Sequence, residues 1–117
     1  MCIKDDMFRV FKSPKFKKVA EKSLDKIELE ELETFINELK QGNTFGRPLS
    51  YPFFREKKIG GKRIYFLVYD EIQVVLLVNV SNKKYQQETI DEIKFLFPAF
   101  KKYAYDLYGD IEKTSTQ

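Results

Sequence analysis

Seven cations, Arg55, Lys57, Lys58, Lys62, Arg63, Lys83 and Lys84, are concentrated in FFREKKIGGKRIYFLVYDEIQVVLLVNVSNKKY, residues 53–85, against only three acids, Glu56, Asp70 and Glu71. The whole chain of 117 residues carries a net charge of +3, so this one stretch is more basic than the rest combined. Cations gathered by strand pairing form a surface suited to a polyanion. Tyr65, Tyr69 and Tyr85 stand beside them and are placed to stack on nucleobases. Both groups also have ordinary structural roles, since strand-end lysines protect sheet edges and strand tyrosines commonly pack half-buried.

Other chemistries are excluded by composition. The sequence has no histidine, which removes Ser/His/Asp and Cys/His nucleophile systems, and it has no Gly-x-x-x-x-Gly-Lys run for phosphate binding. Its one cysteine, Cys2, can form no internal disulfide and cannot build a zinc site of the usual ligands, which points to a reducing, cytoplasmic setting. Glu88, Asp91 and Glu92 could be ligands for a hard cation, but Glu88 and Glu92 at i, i+4 read more simply as a solvated helix face. No metal and no cofactor is expected. The longest nearly apolar run, Ile72 to Val80, is far shorter than the roughly 20 residues that span a bilayer, and the N-terminus has no apolar signal-peptide core.

The elements that must position the cations follow from periodicity and turn chemistry. Met7 to Phe11 alternates as a strand, and Ser13-Pro14 supplies an N-cap and a first helical residue. After Ser23, a second possible N-cap, the apolar residues Leu24, Ile27, Leu32, Phe35, Ile36 and Leu39 mark an amphipathic helix with an acidic outer face, ending near Gly42. Gly42 to Pro52 reads as a connection. Gly60-Gly61 is a two-residue hairpin turn, and Asp70-Glu71 is a plausible second turn, giving a three-stranded meander. With two-residue turns, Glu56, Lys58, Arg63, Tyr65, Leu76 and Val78 share one face, while Arg55, Lys57, Lys62 and Asn79 share the other. Ile72 to Val80 is apolar on both faces and is placed in the middle of the sheet. A helix from Gln86 to Phe97 is followed, after a break at Pro98, by another running to Gly109. The expected fold is α+β, a small antiparallel sheet of an N-terminal strand plus the meander, with two N-terminal helices and a C-terminal helical region. One domain, 1–109, precedes a polar tail, 110–117.

This order of elements, with Ile59-Gly60-Gly61-Lys62-Arg63-Ile64-Tyr65, a Val-rich strand and Ser81-Asn82-Lys83-Lys84, resembles the RelE/ParE superfamily of toxins over about residues 7 to 97. The resemblance implies a RelE-like toxin, a ribosome-dependent mRNA endonuclease held inactive by a co-expressed antitoxin. It places the family's strand-three arginine on Arg63 and the basic residue after the last strand on Lys83, with Lys84 adjacent. The family's two basic residues before the turn fall on Phe54 and Glu56, or after a one-residue shift on Arg55 and Lys57, with Lys58 close in either case. The tyrosine that RelE enzymes carry downstream has no counterpart, because Thr89 occupies its place and Tyr85 comes earlier.

In metal-independent RNA cleavage a 2′-OH attacks the neighbouring phosphate, and fixed cations stabilise the charge that builds on the phosphoryl oxygens. Arg63 is the candidate for that task. A lysine crowded by other cations gives up its proton more readily, so Lys83 and Lys58 are the candidates for proton transfer. Arg55, Lys57, Lys62, Lys84, Tyr65 and Tyr85 would bind the RNA around them. An antitoxin would cover this cationic surface with an acidic amphipathic helix and an added strand or helix, and the C-terminal aromatics Phe95, Phe97, Phe100, Tyr103, Tyr105 and Tyr108 are its docking site, a dimer contact or helix packing onto the sheet. Two alternatives stay open: a ParE-like toxin that blocks DNA gyrase by protein contact, modestly favoured by Glu56 and Thr89, and a degenerate member that only binds RNA or an antitoxin.

Overall fold

Ser13 starts the fold in two directions at once. Its hydroxyl accepts the Phe16 amide at 3.1 Å, capping helix α1 (Pro14–Ser23), and donates to the Val78 carbonyl at 3.3 Å, tying that cap to the sheet. The computed structural model describes residues 7–115, so Cys2 lies outside the described residues. Strand β1 (Arg9–Lys12) leads into α1, and α2 (Lys26–Lys40) follows. The cap of α2 is Asp25 rather than Ser23: Asp25 accepts the Glu28 amide at 2.8 Å while Glu28 accepts the Asp25 amide at 3.0 Å, a reciprocal capping box. Leu24 is buried, but Ile27 lies on the solvent side of α2.

The sheet has five strands rather than four. β2 (Arg47–Leu49) comes from the segment read as a connection, and Ser50, at φ 74°, reverses the chain into β3 (Tyr51–Ile59). Gly60, at φ 58°, turns β3 into β4 (Lys62–Tyr69) with the expected register, Lys58 opposite Arg63 and Glu56 opposite Tyr65. The next turn spans 70–73 with Gln73 at φ 52°, two residues longer than expected, and β5 is Val74–Asn82. Leu76 therefore pairs with Leu67 instead of Tyr65, and a bulge at Tyr65/Phe66 then sets Asn79 opposite Tyr65 and Ser81 opposite Arg63. The strand order is β1-β5-β4-β3-β2, with β1 parallel to β5, so β4 holds the centre and β5 lies beside it, covered on both edges.

Two apolar layers clothe the sheet. One face, with Ile59, Ile64, Phe66, Val68, Val75, Leu77 and Val80, packs under α1 and α2. The other, with Phe54, Tyr65, Leu67, Tyr69, Val74, Leu76 and Val78, packs under α3 (Gln86–Phe95) and α4 (Phe97–Ser115). Pro98 stands in the first turn of α4, where it marks the expected break between the two helices, and α4 runs through Gly109 into the segment read as a tail. Among the described residues no helix is long and apolar enough to cross a membrane.

Candidate nucleic-acid interface

The hairpin register divides the cations between the two faces. Lys58, Arg63 and Ser81 form one row across β3, β4 and β5 on the α3 side, and Lys83, Lys84 and Tyr85 make the turn from β5 into α3 at the same end of the sheet. That turn is held locally, because Asn82 Oδ1 accepts the Tyr85 amide at 3.1 Å and Thr89 Oγ1 donates to the Tyr85 carbonyl at 2.8 Å. Lys83, Lys84 and Tyr85 are exposed, and Lys84 Nζ lies 5.5 Å from the centre of the Tyr85 ring.

Arg63 is not an open cation. Its side chain keeps 11% of its surface exposed, and Nη1 donates at 3.2 Å to Glu56 Oε2, whose side chain is 2% exposed. Gln86 Nε2, from the first turn of α3, donates to both Glu56 oxygens at 3.2 Å. Arg63 Nε is buried with no hydrogen-bond partner. The Tyr65 hydroxyl is bonded to Ser81 Oγ at 2.9 Å, and burial raises its pKa above the ordinary phenol value. Tyr65 is wholly buried, so it cannot be the base-stacking platform that its position beside the cations suggested.

Arg55, Lys57 and Lys62 belong to the α2 side, away from Arg63. Arg55 spends its guanidinium on the backbone, donating to the Pro52 carbonyl at 2.7 Å and to the carbonyl and hydroxyl of Thr44. Lys57 Nζ lies 5.6 Å from the centre of the Phe35 ring, and Lys62 Nζ lies 3.5 Å from Glu28 Oε1. The basic stretch is thus one patch in sequence and two in space. Glu92 is engaged by Lys15 at 2.8 Å and Asp91 by Gln87 at 2.9 Å, and among the described residues no cluster of metal-ligating side chains occurs.

Gln86 and Ser81 were missed as parts of this site. Glu56 was legible in the hairpin register, which puts it on Arg63's face one pair away, but Gln86 comes from another element. Of the C-terminal aromatics, Phe97, Phe100, Tyr103, Tyr105 and Tyr108 pack against the sheet, which leaves only Phe95 presented to solvent.

No protein-family model matches the sequence, and no curated protein matches it. Solved structures do. A mutant of toxin RelE from Escherichia coli in the free state superposes with a TM-score of 0.61 at 19% identity, covering 74% of this chain and 98% of that one. A RelBE toxin-antitoxin complex from Mycobacterium tuberculosis gives 0.55 at 18% identity, covering 66% and 99%. The archaeal RelE-RelB complex from Pyrococcus horikoshii gives 0.54 at 15% identity, covering 66% and 96%. The likeness is one of fold: the five-stranded sheet with its four helices superposes on the RelE toxin structures, and this chain has the RelE-like fold.

Proposed function

We propose that this protein is the toxin of a toxin-antitoxin pair, acting in the cytoplasm as a ribosome-dependent, metal-independent mRNA endonuclease. The observation that carries the reading is the row Lys58, Arg63, Ser81, continued by Lys83, Lys84 and Tyr85 at one open end of a RelE-like sheet. In the reaction the RNA 2′-OH loses its proton to a base, its oxygen bonds to phosphorus, and the bond to the 5′-oxygen breaks as that oxygen gains a proton. Lys58 and Lys83 are the proton-transfer groups in this scheme. Arg63 stabilises the phosphoryl oxygens when a phosphate competes with Glu56 for its guanidinium. A cognate antitoxin with an acidic amphipathic helix would cover the same cations.

The Glu56 carboxylate supports a second reading. An arginine already paired and largely covered suits a toxin that acts by protein contact, as a gyrase inhibitor would, or a member that binds without cutting. The deciding experiment is mRNA cleavage on translating ribosomes, with folding checked by circular dichroism. Cleavage by the parent protein that falls at least about a hundredfold in Arg63→Ala establishes the nuclease reading. Because Arg63→Ala also leaves Glu56 unpaired, exposed Lys83→Ala serves as a second variant that spares the fold. Intact mRNA with a DNA-damage response on induction selects the gyrase reading, and intact mRNA with no toxicity selects the binding-only member.

A further inference from the structure

We infer that Phe45, with Arg47, Lys57 and Lys58 around it, is a subsite that stacks one base of a single-stranded RNA and holds the adjoining phosphates. The inference rests on the RNA-directed reading above and extends it to residues outside the predicted site.

The Phe45 ring is 80% exposed, yet the backbone that carries it is fixed on both sides. Before it, Thr44 is gripped by Arg55 through both its carbonyl and its hydroxyl. After it, Gly46 presses so closely on the sheet that a Cβ there would stand 2.7 Å from Phe66 Cζ and 3.1 Å from the Glu56 carbonyl oxygen. Arg47 then pairs with Glu56 in the β2–β3 ladder. A large apolar ring held out to water on an anchored backbone loses little freedom when something stacks on it.

Beside the ring is a groove of about 330 Å³ lined by Phe45, Gly46, Arg47, Glu56, Lys57 and Lys58. The Glu56 carboxylate is turned toward Arg63 and Gln86, which leaves the groove cationic. Neither Arg47 nor Lys58 has a side-chain partner among the described residues. A flat aromatic face flanked by unspent cations fits a base and its phosphates. Lys58 belongs to both sites, since it lines this groove and stands opposite Arg63, so a strand stacked on Phe45 is led directly to the arginine.

The sequence contains no tryptophan, so Phe45→Trp makes a sole indole reporter at an exposed position. We would titrate it with a short single-stranded oligoribonucleotide and with an abasic strand of equal length. The expected result is indole quenching by the RNA and not by the abasic strand. Phe45→Ala should bind the RNA about tenfold more weakly with an unchanged salt slope, whereas Arg47→Ala should flatten that slope. RNA binding without quenching, or with full affinity in Phe45→Ala, overturns the subsite and leaves the proposed function standing. Quenching by an acidic helical peptide but not by RNA makes the groove a protein-docking surface and overturns it as well. Absence of RNA binding together with absence of ribosomal mRNA cleavage removes both readings.

Discussion

The two faces of the sheet solve the same packing problem differently. Under α1 and α2 the layer is dry, built from Phe16, Leu32, Phe35, Ile36, Leu39, Ile64, Phe66 and Leu77, with the Phe35 and Phe66 rings edge to face at 5.3 Å. Its nearby cations act as lids, Lys57 over Phe35 and Lys62 on Glu28. Under α3 and α4 the layer starts with Leu67, Val74, Leu76 and Ile93 but ends, toward Gly60-Gly61, in Glu56, Arg63, Ser81 and Gln86. A buried ion pair adds little stability over apolar side chains of the same size, because removing two charges from water costs about what their attraction returns. Stability alone therefore does not account for the polar end of the second face.

The largest expected effect tests the dry face. Phe66→Ala should destabilise the protein by about 4 kcal/mol in urea unfolding, since it empties a fully buried ring's place beside Phe35. On the polar face, Glu56→Ala should cost about 3 kcal/mol by stranding the Arg63 charge. The paired replacement Glu56→Leu with Arg63→Leu should recover most of that loss while abolishing any RNA cleavage. If the double variant is as unstable as the single one, the pair is structural and the contrast between the faces fails.

Smaller effects sharpen it. Asp25→Ala should cost about 1 kcal/mol through the α2 capping box, whereas Tyr85→Ala, at the N-cap of α3 where no side chain caps the helix, should leave thermal stability nearly unchanged. The smallest change is expected at the far end of the second face, where the Tyr105 hydroxyl donates to Glu71. That bond raises the Tyr105 pKa to about 12 and lowers that of Glu71 below 4.5. A raised pKa contributes stability fully below the unfolded value of 10.0, lost as pH rises through about 12, and a lowered one contributes above 4.5, lost as pH falls through the depressed value. The stability gap between the parent and Tyr105→Phe, under about 1 kcal/mol, should therefore be flat from about pH 4.5 to 10 and close outside that range.

What could be read from the residues was local. Ser13-Pro14 marked the start of α1, and Gly60-Gly61 alone determined the register that sets Lys58 opposite Arg63 and Glu56 on the same face. Non-local features escaped. Pro48 and Gly46 made β2 read as a loop, although proline is tolerated on an edge strand that has a partner on one side only. Asp70-Glu71 masked a longer turn because Gln73, not a glycine, takes the positive φ. β5 is interior between β1 and β4, as its two apolar faces implied, and β4 rather than β5 is central because β2 adds a strand beyond β3, a pairing that no periodicity reveals. In the site, alternation could not tell that Tyr65 would be sealed beneath α3 or that Gln86 would reach Glu56 from it.

The parallel pairing of β1 with β5 also sets a timetable. Among the described residues Arg9 to Lys12 pair as a strand only with Val74 to Leu77, and Ser13 bonds to a carbonyl 65 residues later. On a growing chain, α1 and α2 can coil early, but the strand they and β1 dock against does not yet exist. The cations of the hairpin come together with Ser81 and the Lys83-Lys84 turn only when Asn82 and its successors have left the exit tunnel. Between the synthesis of Arg55 and the emergence of β5 the polypeptide therefore carries basic residues without the complete basic surface.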